Sequence, residues 1–251
     1  MQETKCNSTL LNSTLSKAWN SCHTSAMDAI GASSGIAIAW NAQAIELTDI
    51  HANHHFIQAK FHVIGTNVHG HLTNVYFLQT ADNKIAILDT IALLNANKSL
   101  PLWIIGVDFN MITELEEKIG GRIRLETESE HFKKFIQSNW LIDFPRNNGI
   151  FTWNNKKSST HQIASRLDRF LISDNAIHLG EDLTTSILPY VGSDHWPISF
   201  QWQRLGVSSK RPFHFESFWL IHPQFKDLVQ QTRKSLTPPA GSKMFQFQQK
   251  L

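Results

Sequence analysis

Apolar and polar residues alternate in the first third of the chain with the two-residue period of β-strands. Between residues 56 and 64 every second residue is apolar, and Lys60 and His62 are among the polar residues between them. Such alternation predicts a half-buried strand in an antiparallel sheet with one solvent-facing side. Apolar runs at 35–40 and 72–77 predict two further strands. The segment 6–34 is rich in Ser, Asn, Thr and Ala and ends in a predicted loop.

Two later segments carry apolar residues at the spacing of an α-helix. Asp82 is a suitable N-cap for the first, in which Leu88 and Ile91 would face the core. The second begins with Thr-Glu-Ser-Glu at 127–130, which has the form of a capping box. Its apolar stripe consists of Phe132, Phe135, Ile136 and Trp140. Both stripes are predicted to pack in the core and not to bind a cofactor.

Three further apolar runs, at 102–105, 169–173 and 198–202, predict strands that alternate irregularly with the helices. A β-sandwich with helices packed outside fits this order better than a doubly wound parallel sheet. The chain has no glycine-rich phosphate-binding loop that would favour the second architecture. We therefore expect an α/β fold in which residues 1–202 form one domain.

The segment 203–251 has a different character. It contains the closely spaced aromatic residues Phe213, Phe215, Phe218 and Trp219, and then a Pro-Pro break at 238–239. Exposed aromatic residues at this density are typical of an interface whose partner is absent. We interpret 203–251 as a connector to a further domain.

Composition excludes a few classes of protein. The 251-residue chain has a formal net charge of +2, which neither requires nor excludes nucleic acid. Cys6 and Cys22 do not form a disulfide framework or a zinc site, and no apolar stretch approaches the roughly 20 residues of a membrane span. The N-terminus lacks the apolar core of a signal peptide. We expect a nuclear or cytoplasmic protein with no membrane partner.

Three short polar stretches at predicted strand ends carry the candidate chemistry. They are Asp-Phe-Asn at 108–110, Ser-Arg-Leu-Asp at 165–168 and Ser-Asp-His at 193–195, and Gln-Glu-Thr-Lys at 2–5 adds a fourth. Strand ends that face one cleft can bring such groups together from distant parts of the sequence. The combination of acidic, amide and imidazole groups suits metal-assisted attack on a phosphodiester.

Each residue type has a role in such a reaction. Glu3 and Asp194 offer the carboxylate oxygens that Mg²⁺ prefers. Asp108 could orient or deprotonate the attacking water, and Asn110 could donate an amide hydrogen bond to a phosphate oxygen. His195 could donate to the phosphate as charge accumulates, with Asp168 fixing the tautomer of its imidazole.

Each stretch taken alone has an ordinary structural explanation. Asp-X-Asn is a common turn sequence, Ser-Asp is a common helix cap, and Arg166 could form an ion pair with Asp168. The basic loop that contains Lys118, Arg122 and Arg124 could grip backbone phosphate, or it could be a solvated turn. We place Arg122, Arg124 and Arg166 among the candidate nucleic-acid-binding residues.

The chain resembles the endonuclease/exonuclease/phosphatase superfamily, and within it the endonuclease domain of plant LINE-type (non-LTR) retrotransposons. The resemblance runs from end to end, and Phe-His-Phe-Glu at 213–216 resembles the start of the connector to reverse transcriptase. The segments that carry it are 2–5, 34–37, 74–76, 103–110, 149–153, 165–171 and 192–197.

This resemblance implies a four-layer α/β sandwich of two mixed β-sheets flanked by helices, and Mg²⁺-dependent nicking of DNA that primes reverse transcription. Mn²⁺ could substitute for Mg²⁺, and a reverse transcriptase domain would be the partner in cis. By motif match, Glu3 and Asp194 would be metal-site residues and Tyr76 a phosphate contact. Asp108 and Asn110 would handle the water, and Asp168 and His195 would form a dyad.

The chain also departs from the family pattern. The resemblance implies a first strand and a helix ahead of residues 2–5, so we expect the fold to lack them. Val107 stands where the family has Gly, which would be strained if the backbone there needs a positive φ. Phe77 and Leu78 replace an expected Gly-Pro.

Three hypotheses follow from the sequence. The first is an active Mg²⁺ endonuclease, and the second is a catalytically impaired retrotransposon remnant with at most weak nucleic-acid binding. The third keeps the superfamily but replaces the substrate with a phosphomonoester of a lipid or inositol.

Overall fold

The computed structural model describes residues 1–29, 35–77, 81–96, 102–122, 124–157, 161–179, 182–189, 192–203 and 225–235. The chain divides into two units, Met1–Leu205 and Gly206–Leu251. In the second unit the structure describes one helix, so the aromatic residues of the predicted connector lie outside the described residues. The predicted loop at 31–34 also lies outside them.

The described residues form helices and strands that alternate along the first unit. The helices are α1 Ser8–Ala18, α2 Ala81–Ala96, α3 Thr127–Ser138 and α4 Phe225–Ser235, with 3₁₀ helices at Leu115–Glu117 and Asp174–Leu179. The strands are β1 Cys22–Met27, β2 Ile36–Asn41, β3 Ile45–Ala52, β4 Phe56–Val63, β5 His69–Tyr76, β6 Trp103–Asp108, β7 Lys118–Ile119, β8 Leu141–Asp143, β9 Trp153–Asn154, β10 Ala164–Ser165, β11 Leu171–Ser173, β12 Asp182–Ile187 and β13 Ile198–Gln203. None of these helices is long and apolar enough to cross a membrane.

A six-stranded sheet in the order β3-β4-β5-β6-β11-β8 is the centre of the fold. β5 and β6 are parallel neighbours, whereas the other pairs in this sheet are antiparallel. The register places Tyr76 beside Asp108 at the ends of β5 and β6. This arrangement brings two candidate site residues to the same edge of the sheet.

The two faces of this sheet have different covers. One face packs against α2 and α3 in a core that includes Val75, Trp103 and Phe132. The other face is covered by two separate hairpins, β1-β2 beside Ile57 and β12-β13 beside Ile172. A small sheet of β7, β10 and β9 completes the described pairings.

The predicted α/β class, with two β layers and helices outside, is confirmed. In the described residues the second layer consists of the two antiparallel hairpins and not of one mixed sheet. The predicted strands at 35–40, 56–64, 72–77, 102–105, 169–173 and 198–202 correspond to β2, β4, β5, β6, β11 and β13.

Several local predictions were wrong. The side of β4 that carries Gln58, Lys60 and His62 was predicted to face solvent, but Gln58 is fully buried, because it lies on the side of β4 that the helices cover and donates to Thr73. The N-cap of α3 is Glu126, which makes no side-chain capping bond, so the predicted capping box does not form. Trp140 lies beyond the end of this helix and is 74% exposed. Asp82 lies inside α2, which begins at Ala81.

An apolar groove of about 310 Å³ lies between β2 and the face of the large sheet at β5 and β6. Its walls include Ile38, Leu72 and Val107. At one end of the groove the Met1 amine donates to the Ala37 carbonyl at 2.9 Å, and burial lowers the pKa of this amine to about 6. Beyond Ala37, no described strand pairs with the edge of β2 that faces the groove.

The buried guanidinium of Arg169 connects its own segment with the segment after β6, the end of β8 and helix α3. Arg169 is 1% exposed, and it donates to Glu117 and to Asp143, the latter at 2.7 Å. It also donates to the carbonyl of Met111 at 3.0 Å, and its guanidinium lies over the Phe132 ring. Because Arg169 directly follows Asp168, this network fixes the backbone of a candidate site residue.

Replacement of Arg169 by Met will destabilise the protein, because the buried Glu117 and the half-buried Asp143 carboxylates lose one of their two arginine partners and only Arg166 remains. We expect the free energy of unfolding to fall by about 3–5 kcal/mol, measured by urea denaturation. The matched control is Arg122→Met, at an exposed position, which we expect to change it by less than about 0.5 kcal/mol. A loss below about 1 kcal/mol for Arg169→Met would contradict the proposed importance of the network.

Candidate active site

Two carboxylates and an imidazole form a compact cluster at the end of the large sheet. Ligand atoms of Asp108, Asp168 and His195 all lie within 4.8 Å of one another. His195 Nδ1 is 3.0 Å from Asp168 Oδ2. Both carboxylates are buried, at 4% and 5% exposure, whereas the imidazole is only half-buried. The sequence stretches at 108–110, 165–168 and 193–195 therefore meet in space.

The backbone around Asp108 explains how the cluster forms. Asp108 is the last residue of β6, and it pairs through an isolated antiparallel bridge with Asp168, just ahead of β11. The Thr152 hydroxyl accepts bonds from the backbone amides of Leu167 and Asp168, both at 3.0 Å. Val107 does not have a positive φ, so the strain considered for this position does not arise.

Asn110 adopts a left-handed conformation with φ of 50°. Its backbone amide donates to Asp108 Oδ1 at 2.9 Å, and its side-chain amide donates to the Phe77 carbonyl at 3.1 Å. Asn is one of the few residues that tolerate this conformation. The Asp-X-Asn stretch is therefore a tight turn whose side chains are both fixed by hydrogen bonds.

A second loop brings Asp194 and His195 to the same place. Trp153 pairs with His195 through a backbone bridge, and its indole Nε1–H donates to Asp194 Oδ2 at 3.0 Å. The amide of Asn154 also donates to the Asp194 carbonyl. The short strand β9 thus holds the loop that carries both residues.

Glu3 and Tyr76 form the remaining part of the site. The Tyr76 hydroxyl donates to Glu3 Oε1 at 2.9 Å, and Lys5 lies 3.6 Å from the other carboxylate oxygen. Glu3 lines a cleft of about 430 Å³ together with Asn110, Asp194 and His195. The structure therefore brings together all seven predicted catalytic and metal-site residues.

The electrostatics of the cluster favour an acid and a base side by side. Burial, together with the charge of Asp168, raises the pKa of Asp108 well above the usual range of an Asp. Burial opposes protonation of His195, but the hydrogen bond and charge of Asp168 raise its pKa to about 9. Burial and the bond to Glu3 raise the pKa of Tyr76, so that its hydroxyl stays protonated at neutral pH.

The donor set suits a hard cation. Glu3 and Asp194 line the cleft, and His195, which also lines it, contacts the buried carboxylate of Asp168. Oxygen ligands of this kind favour Mg²⁺ or Mn²⁺ over softer metals. Burial tends to raise the pKa of Asp194, but the Trp153 bond and nearby charges lower it, so this carboxylate is ionised.

The three arginines predicted to bind nucleic acid lie in different surroundings. Arg122 and Arg124 are exposed, and Arg124 lines the cleft while pairing with Glu126. Arg166 lies 2.8 Å from Glu117 and also pairs with Asp143, and not with Asp168 as the sequence suggested. Its guanidinium therefore belongs to the network around Arg169.

Sequence reasoning assigned no role to two residues that build the site. Thr152 and Trp153 stood within the segment 149–153 that carried the resemblance, but only the three-dimensional pairing shows what they contact. Lys84 was also missed, because one Lys on a predicted helix gives no signal. It lines the cleft and donates to the Asn110 carbonyl.

Solved structures share this fold. The endonuclease domain of TRAS1, a telomere-specific non-LTR retrotransposon, is 12% identical with a TM-score of 0.55, over 79% of this chain and 91% of that one. An endonuclease/exonuclease/phosphatase family protein from Bacteroides thetaiotaomicron is 12% identical with a TM-score of 0.51, over 77% and 80%. TDP2 from D. rerio, complexed with single-strand DNA product, is 13% identical with a TM-score of 0.52, over 78% and 82%.

No family model and no curated protein matches the sequence. At 12–13% identity the structural similarity establishes the fold, whereas any activity depends on the residues of the site.

The raised pKa of His195 will be visible in a titration of the metal-free protein followed by NMR of its imidazole. We expect a midpoint near 9, and in Asp168→Asn a lower midpoint, because the hydrogen bond and charge of Asp168 are lost while the charges of Asp108 and Asp194 still oppose the effect of burial. A wild-type midpoint at or below 6.5 would contradict this interaction.

The same shift has a consequence for stability. Because the folded state binds the proton more tightly than the unfolded state, the stabilisation is fully present below about pH 6.5 and is lost as the pH rises through about 9.

Proposed function

We propose that this protein is a metal-dependent hydrolase that cleaves phosphodiester bonds in DNA. The observation that carries the proposal is the buried cluster of Asp108, Asp168 and His195 behind a cleft that also presents Glu3 and Asp194. Such a set can bind a hard cation, deprotonate a water and stabilise charge on phosphate at once.

The roles follow from the geometry and the charges. Asp108, with its raised pKa, takes the proton of the attacking water as the new oxygen–phosphorus bond forms and the bond to the leaving oxygen breaks. The His195 imidazolium, held by Asp168, donates to the phosphate oxygen on which charge accumulates. Asn110 donates its free amide N–H to the same phosphate.

Glu3 and Asp194 would hold Mg²⁺, or Mn²⁺ in its place. The bound ion would supply Lewis-acid polarisation of the phosphate. Tyr76 keeps one Glu3 oxygen in position through its hydroxyl, and Trp153 does the same for Asp194. Each carboxylate therefore has one oxygen fixed by the protein.

Within this reaction class we propose the role of a LINE-type retrotransposon endonuclease that nicks DNA in the nucleus. The motifs at 2–5, 103–110, 165–171 and 192–197 support it, as does the extensive coverage of the TRAS1 domain. In this proposal residues 203–251 lead toward a reverse transcriptase domain.

The impaired remnant is the second candidate, and the groove beside β2 favours it. Beyond Ala37 this edge of β2 has no partner among the described strands, and an unpaired strand edge is a destabilising feature next to a site that needs fixed geometry. In that case the fold persists and the cleft binds nucleic acid weakly without turnover.

Purified protein will convert supercoiled plasmid into nicked circles in the presence of Mg²⁺ and not in the presence of a chelator. We expect Asp108→Asn and His195→Ala each to lower the rate by about 10²–10⁴-fold, since each removes a proton-transfer or charge-stabilising group. Gel electrophoresis of time courses measures the rates.

Two exposed helix residues offer matched controls. Asp89→Asn on α2 and His131→Ala on α3 repeat the same chemical changes away from the site, and we expect them to nick at the wild-type rate. No nicking by wild-type protein that unfolds cooperatively would reject the active enzyme and leave the remnant.

Replacement of Arg124 by Met will weaken DNA binding in a salt-dependent manner. If Arg124 neutralises one phosphate, the slope of log K against log salt concentration falls by about 0.9. Fluorescence anisotropy with a short duplex at several salt concentrations measures it, and Arg122→Met tests the second arginine. Lys17→Met on α1, away from the cleft, is the control, and an unchanged slope for both arginine variants would reject this contact.

A further inference from the structure

Helix α2 places a buried lysine against the catalytic turn. Lys84 is 5% exposed, and its Nζ donates to the backbone carbonyl of Asn110 at 2.9 Å. The same ammonium lies 3.7 Å from Glu128 Oε1 on α3, and both residues line the cleft. A buried ammonium is costly to desolvate, so this position needs an explanation.

The backbone of Asn110 explains why an ammonium group is buried at this position. A residue in the left-handed conformation cannot continue the hydrogen-bond pattern of β6, so its carbonyl needs a donor from another element. Lys84 is that donor. Together with the bonds to Asp108 and Phe77, it fixes Asn110 at its amide, its side chain and its carbonyl.

The fixed turn determines where the Asn110 amide points. The side-chain amide has two N–H groups, and one of them donates to Phe77. The other is therefore held at a defined angle in the cleft, provided that the turn does not rotate. A fixed donor of this kind stabilises developing charge without reorganisation during the reaction.

We infer that Lys84 is a positioning residue, which holds the Asn110 turn so that its free amide N–H meets the phosphate of the substrate. The inference rests on the proposed function for the reaction that it serves. Its structural half, that Lys84 fixes Asn110, can be tested without turnover.

A competing explanation is that Lys84 neutralises Glu128 and serves the packing of α2 against α3. The two explanations differ in what a double substitution does. Lys84→Met removes the donor but leaves the Glu128 carboxylate unpaired, whereas Lys84→Met with Glu128→Gln removes the donor and leaves no unpaired charge. The double variant therefore keeps the fold even where the single variant is unstable.

The experiment measures kcat and KM for plasmid or oligonucleotide nicking by wild type, Lys84→Met, Glu128→Gln and the double variant. We expect kcat to fall by about 10- to 100-fold in both variants that lack Lys84, with KM within about twofold, because misplacement of a transition-state contact acts on kcat. Glu128→Gln keeps the Lys84 donor, so we expect its kcat to fall less than that of either variant that lacks Lys84. Lys133→Met is the matched control, because Lys133 is also a helix lysine that pairs with glutamates, here Glu114 and Glu130, but it does not line the cleft.

The same four proteins and the control are compared by ¹⁵N–¹H NMR of the Asn110 backbone and side-chain amides. We expect these signals to shift or broaden in both variants that lack Lys84 and to stay in place in Lys133→Met. Recovery of the wild-type kcat by the double variant, or unchanged Asn110 signals, would overturn the inference. Failure of wild type to nick DNA would reject the proposed function, and the Asn110 signals would still decide whether Lys84 holds the turn.

Discussion

The site depends on the buried guanidinium of Arg169. It donates to the carboxylates of Glu117 and Asp143 and to the backbone carbonyls of Met111 and Arg166, and it directly follows Asp168 in sequence. A charge removed from water needs nearly complete pairing to be tolerated, so the loops that supply these acceptors cannot move independently. Arg166 adds a second cation to the same carboxylates. The carboxylate of Asp168, a candidate catalytic group, therefore belongs to a backbone segment that this ion network holds in place.

Sheet topology then determines which side chains meet. Tyr76 and Asp108 are neighbours because β5 and β6 run parallel and end together, and Asp168 joins them because it precedes an antiparallel neighbour of β6. Strand β13 of the β12-β13 hairpin begins at Ile198, shortly after His195. The imidazole of His195 contacts the Asp168 carboxylate. The proposed chemistry comes from four strand ends, and no single segment of the chain holds it.

The sequence predicted those parts of the fold that leave a local pattern. α3 buries one side and therefore shows its period. β4 alternates in sequence although both of its sides are covered, because Gln58 is buried with a hydrogen bond to Thr73. By contrast, α1 buries no residue and β3 is largely exposed, so neither shows an apolar pattern. Asp108, Asn110 and His195 could be predicted as candidates from their residue types at strand ends. The partners of Arg166 could not be predicted, because Glu117 and Asp143 become its neighbours only when β7, β8 and β10 have assembled. Trp140 was assigned to the core because its spacing fits a helix that in fact ends at Ser138.

The parallel pair β5-β6 has a consequence for the order in which the molecule folds. β3, β4 and β5 are joined by short turns and can pair as soon as they are made, but a parallel neighbour requires a long crossover, here through α2. Closing that loop lowers the conformational entropy of the chain before any long-range contact can offset the loss. The contacts Tyr76–Asp108 and Asp168–His195 have high sequence separation relative to the hairpins, so they form late on the folding pathway. We therefore expect a nascent or partly folded chain to pair three of the six strands of its large sheet before it has the candidate active site.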